Sequence, residues 1–98
     1  MSEMILVADD EKEIADLVAL YLENEGFQVI KCYDGTQAMK IVERERLDLA
    51  VLDIMLPGAS GLDICRRIRE KHNYPIIMLT AKGEEMDKIT GLTMGADD

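Results

Sequence analysis

Apolar residues gather in four short runs along the chain: Met4 to Ala8, Phe27 to Cys32, Leu49 to Leu52 and Ile76 to Leu79. The first, Met4-Ile5-Leu6-Val7-Ala8, is continuous rather than alternating, as expected of a strand buried on both faces. Between the runs, apolar residues recur at helical spacing. Ile14, Leu17, Val18, Tyr21 and Leu22 mark a first helix, and Ala38, Ile41 and Val42 a second. Leu62, Cys65 and Ile68 mark the inward side of a third, and Ile89 and Leu92 that of a fourth over Glu84 to Met94. Boundary residues agree with this division. Asp10 with Glu13 reads as a helix cap and its partner three residues on, and Gly26 as a helix stop. Asp34-Gly35 reads as a turn. Ser60 with Asp63 opens the third helix. Pro75 precedes the last run, where its missing N–H does least harm, and Gly95 closes the fourth helix.

The elements alternate β-α-β-α-β-α-β-α over residues 1–98 as one domain, with no linker, repeat or low-complexity tract between them. Alternation of apolar strands with helices implies a parallel sheet covered on both faces, a three-layer α/β architecture. In the flavodoxin-like order 2-1-3-4-5 the first and third strands flank the switch point, and ligands bind beyond their carboxyl ends. Asp9 and Asp10 follow the first strand, and Asp53 ends the third. Three carboxylates are therefore expected in one crevice.

Asp53 is the hardest of these to explain as mere structure, because it directly follows Leu49-Ala50-Val51-Leu52. A lone carboxylate is costly at the end of a buried strand. Taken singly, Asp10 reads more readily as a helix cap, Asp9 as evenly a solvated loop residue, and Thr80 as satisfying its own strand end. Their conjunction carries the inference. Clustered carboxylates repel and raise one another's pKa, and a hard divalent cation makes them tolerable. Oxygen donors without nearby His or Cys favour Mg²⁺. Mg²⁺ held by one or two carboxylates leaves positions for phosphate oxygens, which suits phosphoryl transfer, and a carboxylate can itself accept the phosphoryl group as an acyl phosphate. Asp53 is the candidate acceptor. Thr80, after the fourth strand, can donate its hydroxyl to a phosphoryl oxygen.

Composition narrows the partners. With 20 acidic and 11 basic residues the net charge is −9, which disfavours nucleic acid or an anionic membrane as a direct partner. The start, Met1-Ser2-Glu3-Met4, lacks a basic n-region, and no apolar run is long enough to span a bilayer. Cys32 and Cys65 have no metal-site spacing and read as reduced core residues, so the expected compartment is the cytoplasm. His72, the one histidine, stands near a helix end and has no partner for a zinc site or a catalytic dyad.

Three segments carry a resemblance to a known family. Ile5-Leu6-Val7-Ala8-Asp9-Asp10-Glu11, Leu52-Asp53-Ile54-Met55-Leu56-Pro57-Gly58-Ala59-Ser60-Gly61 and Pro75-Ile76-Ile77-Met78-Leu79-Thr80-Ala81 are similar to the acidic-pair, phosphoacceptor and switch segments of receiver domains. Gly91 and Gly95-Ala96-Asp97-Asp98 extend the match. The chain resembles the receiver domain of bacterial two-component response regulators of the OmpR/PhoB class. The resemblance implies a CheY-like fold and a phosphoryl group accepted on Asp53 from a sensor histidine kinase. It also implies Mg²⁺ bound by Asp10, Asp53 and the Met55 carbonyl, with Asp9 helping through water. Thr80 would act as the switch, Met55 and Lys82 would tune dephosphorylation, and Lys88, Asp97 and Asp98 would lie on a dimer face. The output would be control of transcription, and the domain would be a signalling phosphoacceptor, not an enzyme.

The family continues with a fifth strand, a Lys-Pro pair and a fifth helix, whereas this sequence stops at Asp98. The expectation is a sheet of order 2-1-3-4 with the fifth strand and helix missing, weak phosphorylation, and self-association or a domain-swapped dimer through the apolar fourth strand. Three other classes fit less well. A Mg²⁺-dependent aspartyl-phosphate phosphatase of the haloacid-dehalogenase kind would want an Asp where Met55 stands. An interaction module that takes no phosphate would not need the full acidic set. A flavin module would suffer repulsion between the acidic crevice and the flavin phosphate.

Overall fold

The computed structural model describes residues 3–79, in which strands and helices alternate. They are β1 (Met4–Ala8), α1 (Lys12–Asn24), β2 (Gln28–Cys32), α2 (Gly35–Arg44), β3 (Leu49–Asp53), α3 (Gly61–Lys71) and β4 (Ile76–Leu79). Thr80, Lys82, the helix expected over Glu84 to Met94, Lys88, Asp97 and Asp98 lie outside the described residues. All strand pairs are parallel, in the order β2-β1-β3-β4. The expected order is thus observed, and β1 and β3 are neighbours.

Period-two alternation splits the strand residues between two helical layers. Leu6, Ala8, Ala50, Leu52, Ile76 and Met78 pack with Ala38, Ile41 and Val42 of α2 and Ile64, Cys65 and Ile68 of α3. Ile5, Val7 and Val51 face the other way and pack with Ala15, Val18 and Leu22 of α1. Both faces of β1 and β3 are buried, which is why their sequences run apolar without alternation.

Three local readings are corrected. The first concerns which side of α1 faces the sheet. Ala15 and Ala19 are buried, while Leu17 and Tyr21 are 59% and 67% exposed. Two overlapping stripes share Val18 and Leu22, and spacing alone cannot choose between them. The alanine stripe lets the helix axis approach the sheet closely. Second, Asp10 does not cap α1. Glu11 holds the cap position and gives no side-chain cap bond. Third, Leu62 of α3 is 51% exposed, and Ile64 fills the inward place beside Cys65 and Ile68.

Other boundaries form as read. Gly26, just past α1, has φ +98°, a left-handed conformation suited to glycine. Ser60 accepts from Asp63 N while Asp63 accepts from Ser60 N, a reciprocal capping box. Asp34, read as a turn residue, also caps α2, its carboxylate accepting from Gln37 N at 2.7 Å. His72 is the C-cap of α3. Cys32 and Cys65 are buried and are not joined in a disulfide.

Candidate functional site

The site follows from the register of β1 and β3. Ala8 pairs with Leu52, so Asp9 and Asp53 come next, abreast at the carboxyl edge. Asp53 alternates with Val51 onto the α1 face of the sheet, opposite Leu79 of β4. Asp9 and Asp53 are 2% and 1% exposed, the buried charged residues of the described core, and Asp10 is exposed above them. Carboxylate oxygens of Asp9, Asp10 and Asp53 all lie within 4.8 Å of one another. The structure brings together the three acids that the sequence predicts.

Each buried acid is anchored by its own chain. Asp9 Oδ1 accepts from Glu11 N at 2.9 Å, and Asp53 Oδ1 accepts from Met55 N at 3.1 Å. These bonds, two residues forward in both cases, turn the chain away from the sheet and hold the carboxylates in place. Burial still dominates at Asp9, whose pKa is pushed up from 3.8 to about 6. Desolvation is the main cause; the bond from Glu11 opposes it, and the charges of Asp53, Asp10 and Glu11 add to it.

The loop after Asp53 is clamped against two helix starts. Ile54 N donates to Leu79 O at 3.0 Å, and Gly61 N to Ile54 O at 3.0 Å. Gly35 N, at the start of α2, donates to Pro57 O at 2.8 Å. Gly58 has φ +93°, and a Cβ there would stand 2.8 Å from Thr36 Oγ1. At Gly61 a Cβ would stand 2.5 Å from Asp53 O and 2.9 Å from Ile54 Cα, so α3 starts directly against the backbone of the acceptor strand. Met55 is tied to Asp53 through its N–H and exposes 63% of its surface on the rim.

These residues fit a hard cation. The donors are oxygens only, two of the three acids are held away from water, and mutual repulsion alone would drive them apart. Sequence reasoning missed the seating of Gly35 and Gly58 on each other's loops, for which a single sequence carries no signal beyond the glycines. Nor does sequence spacing relate Lys12 of α1 to Tyr33, in the loop after β2, whose ring lies 5.1 Å from the Lys12 ammonium. Thr80, the proposed reader of the phosphoryl group, lies outside the described residues.

The response regulator receiver domain family matches residues 5–98 of the chain. Regulatory protein VanR of Enterococcus faecium is 62% identical over all 98 residues, and regulatory protein VanRc of Enterococcus gallinarum is 60% identical over the same length. The chain spans 42% of the length of these curated relatives. Among solved structures, the beryllofluoride-activated N-terminal receiver domain of Klebsiella pneumoniae RstA is 38% identical. It superposes with TM-score 0.78, over 97% of this chain and 81% of that one. Response regulator TrrA of Thermotoga maritima, solved with Mg²⁺ and beryllofluoride, is 37% identical with TM-score 0.76, over 88% of this chain and 76% of that one.

Proposed function

The chain belongs to the response regulator receiver domain family, and from that premise we propose that Asp53 accepts a phosphoryl group from the phosphohistidine of a sensor histidine kinase. The observation that carries the reading is the buried Asp53 carboxylate, with oxygens of Asp9 and Asp10 within 4.8 Å. An Asp53 carboxylate oxygen forms the new P–O bond while the P–N bond of the donor breaks, and the imidazole nitrogen leaves with the electron pair. The bonds from Glu11 N and Met55 N keep Asp9 and Asp53 oriented before any donor arrives. Asp10 and Asp53 would hold Mg²⁺ with the Met55 carbonyl, and Asp9 would assist through water. When bound, Mg²⁺ supplies the positive charge that the acids and the phosphoryl oxygens need. Thr80 would donate its hydroxyl to a phosphoryl oxygen and bias an inactive–active equilibrium.

Phosphorylation would control a transcriptional output, as the resemblance to the OmpR/PhoB class implies, in the cytoplasm and without multiple turnover of a free substrate. No helix among the described residues is long and apolar enough to cross a membrane. Self-association along the β4 side of the sheet is part of the same proposal, and sedimentation with and without phosphoryl analogue measures it. Direct nucleic-acid binding by this acidic segment is not part of it.

The test is incubation with Mg²⁺ and acetyl phosphate or beryllofluoride, followed by intact mass or NMR, on the wild type and Asp53→Ala. An adduct that needs Asp53 is expected. Sustained hydrolysis of a phosphomonoester would replace the receiver reading with a phosphatase, and no Asp53-dependent adduct would replace it with an interaction module.

A further inference from the structure

Lys12 stands where helical physics disfavours it. It is the first residue of α1, where the unpaired N–H groups already carry partial positive charge. No side-chain cap offsets this, since Glu11 makes no cap bond. Among the described residues Lys12 forms no ion pair. Asp16, one turn on, feels the Lys12 charge but is held at hydrogen-bond distance by Lys31 Nζ at 3.0 Å and by the Tyr33 hydroxyl at 3.3 Å. The Lys12 ammonium lies instead over the Tyr33 ring, 5.1 Å from its centre.

The position of that ring gives the contact its meaning. Cys32 pairs with Ala8, and Asp9 N donates to Cys32 O at 3.2 Å, so Tyr33 stands beside Asp9 across the sheet edge. Its ring packs with the α1-side cluster, the face that Asp53 also shares. Tyr33, Asp9 and Asp53 thus form a row over β2, β1 and β3. Tyr33 is pinned by its hydroxyl on Asp16 and by its N–H on Gln37 Oε1 at 3.4 Å. It is a fixed seat for a cation at the flank of the acidic crevice. The other described cations differ. Lys31 is paired, and the rest sit on the middle or far parts of α2 and α3 or in the loop after α2.

We propose that Lys12, seated on Tyr33, is a positioning residue for anionic phosphodonors: it offsets the repulsion that Asp9, Asp10 and Asp53 exert on an incoming phosphoryl group. The proposal rests on Asp53 being the phosphoacceptor. A cation–π contact at an exposed site is weak enough to be exchanged for a better anionic partner. A field of this kind acts through the encounter and fades with salt.

The test compares wild type, Lys12→Gln, Lys12→Glu and Lys12→Arg. It measures the rate of Mg²⁺-dependent phosphorylation by acetyl phosphate at low and high ionic strength, and Mg²⁺ affinity by calorimetry without donor. Asp53→Ala serves as the blank. At low salt Lys12→Gln is expected to slow phosphorylation about threefold and Lys12→Glu further, with Lys12→Arg near wild type; the differences collapse at high salt. Mg²⁺ affinity moves the other way, tightening by about twofold in Lys12→Glu because one cation has been replaced by an anion. Equal rates at low salt, or a loss unchanged by salt, overturn the proposal. If the wild type gains no Asp53-dependent phosphoryl group, the receiver reading fails instead. The calorimetry then still decides whether the Lys12 charge is felt in the crevice, and Mg²⁺ affinity identical across the four proteins overturns that placement.

Discussion

Asp9 and Asp53 stand abreast at the ends of adjacent parallel strands, almost fully buried, and each turns an oxygen back to the N–H two residues along its own chain. Neither neutralises the other. Their placement depends on sheet register and on two backbone donors, so the crevice is assembled by folding before any ligand enters.

The pH response of the cation-free protein follows from Asp9. Its folded pKa of about 6 exceeds the ordinary 3.8, so the folded state holds a proton that the unfolded state releases between these values. The stability this contributes is present in full below about pH 4 and is lost as pH rises through about 6, amounting to roughly 3 kcal/mol at most. In chelator, Tm is expected to fall between pH 5 and 7.5. Asp9→Asn should raise Tm at pH 7.5 and flatten the profile, while Mg²⁺ should stabilise the wild type more at pH 7.5 than at pH 5. Thermal melts with equal slopes for wild type and Asp9→Asn would contradict the assignment to Asp9.

Gly61 links the acceptor strand to α3. In Gly61→Ala the added methyl would meet Asp53 O and Ile54 Cα, both backbone atoms that cannot rotate aside. A loss of about 1–3 kcal/mol is expected, as for overpacking elsewhere. Because the displaced backbone belongs to Asp53, Mg²⁺ affinity should weaken as well, and urea titration with and without Mg²⁺ separates the two effects.

The capping box offers a contrast, because it is remote from the acids in chemistry though close in sequence. Ser60→Ala removes the acceptor for Asp63 N and is expected to cost about 1 kcal/mol in urea denaturation. Beryllofluoride adduct formation on Asp53 should persist, since the bond from Met55 N is untouched.

Thiol chemistry reports on packing. Cys32 is 2% exposed and Cys65 6%, and burial pushes the Cys32 thiol up to about 11. At pH 8 both are expected to react with Ellman's reagent only as fast as the chain opens, and denaturant should release two thiols at once. A rapid native reaction at either would show that its layer is looser than the packing described.

Over the described residues, element order, strand identity and the three acids were all legible in the sequence, for a physical reason. Strands buried on both faces must be continuously apolar, so Met4–Ala8 and Leu49–Asp53 stand out, and a carboxylate ending such a strand stands out further. The Ser60–Asp63 box was equally legible, because a cap is a contact between near neighbours. What the tertiary structure alone decided are matters of rotation and distant approach. The sheet needed close contact from α1, so alanines turned inward and Leu17 and Tyr21 outward. Asp10 gave up the helix cap because Asp9 folded back onto Glu11 N, leaving Asp10 on the rim of the crevice. Gly58 met α2, and Lys12 met Tyr33, across elements that sequence spacing does not relate. Local periodicity records which residues must be buried; only the packed sheet sets which neighbours they are buried against.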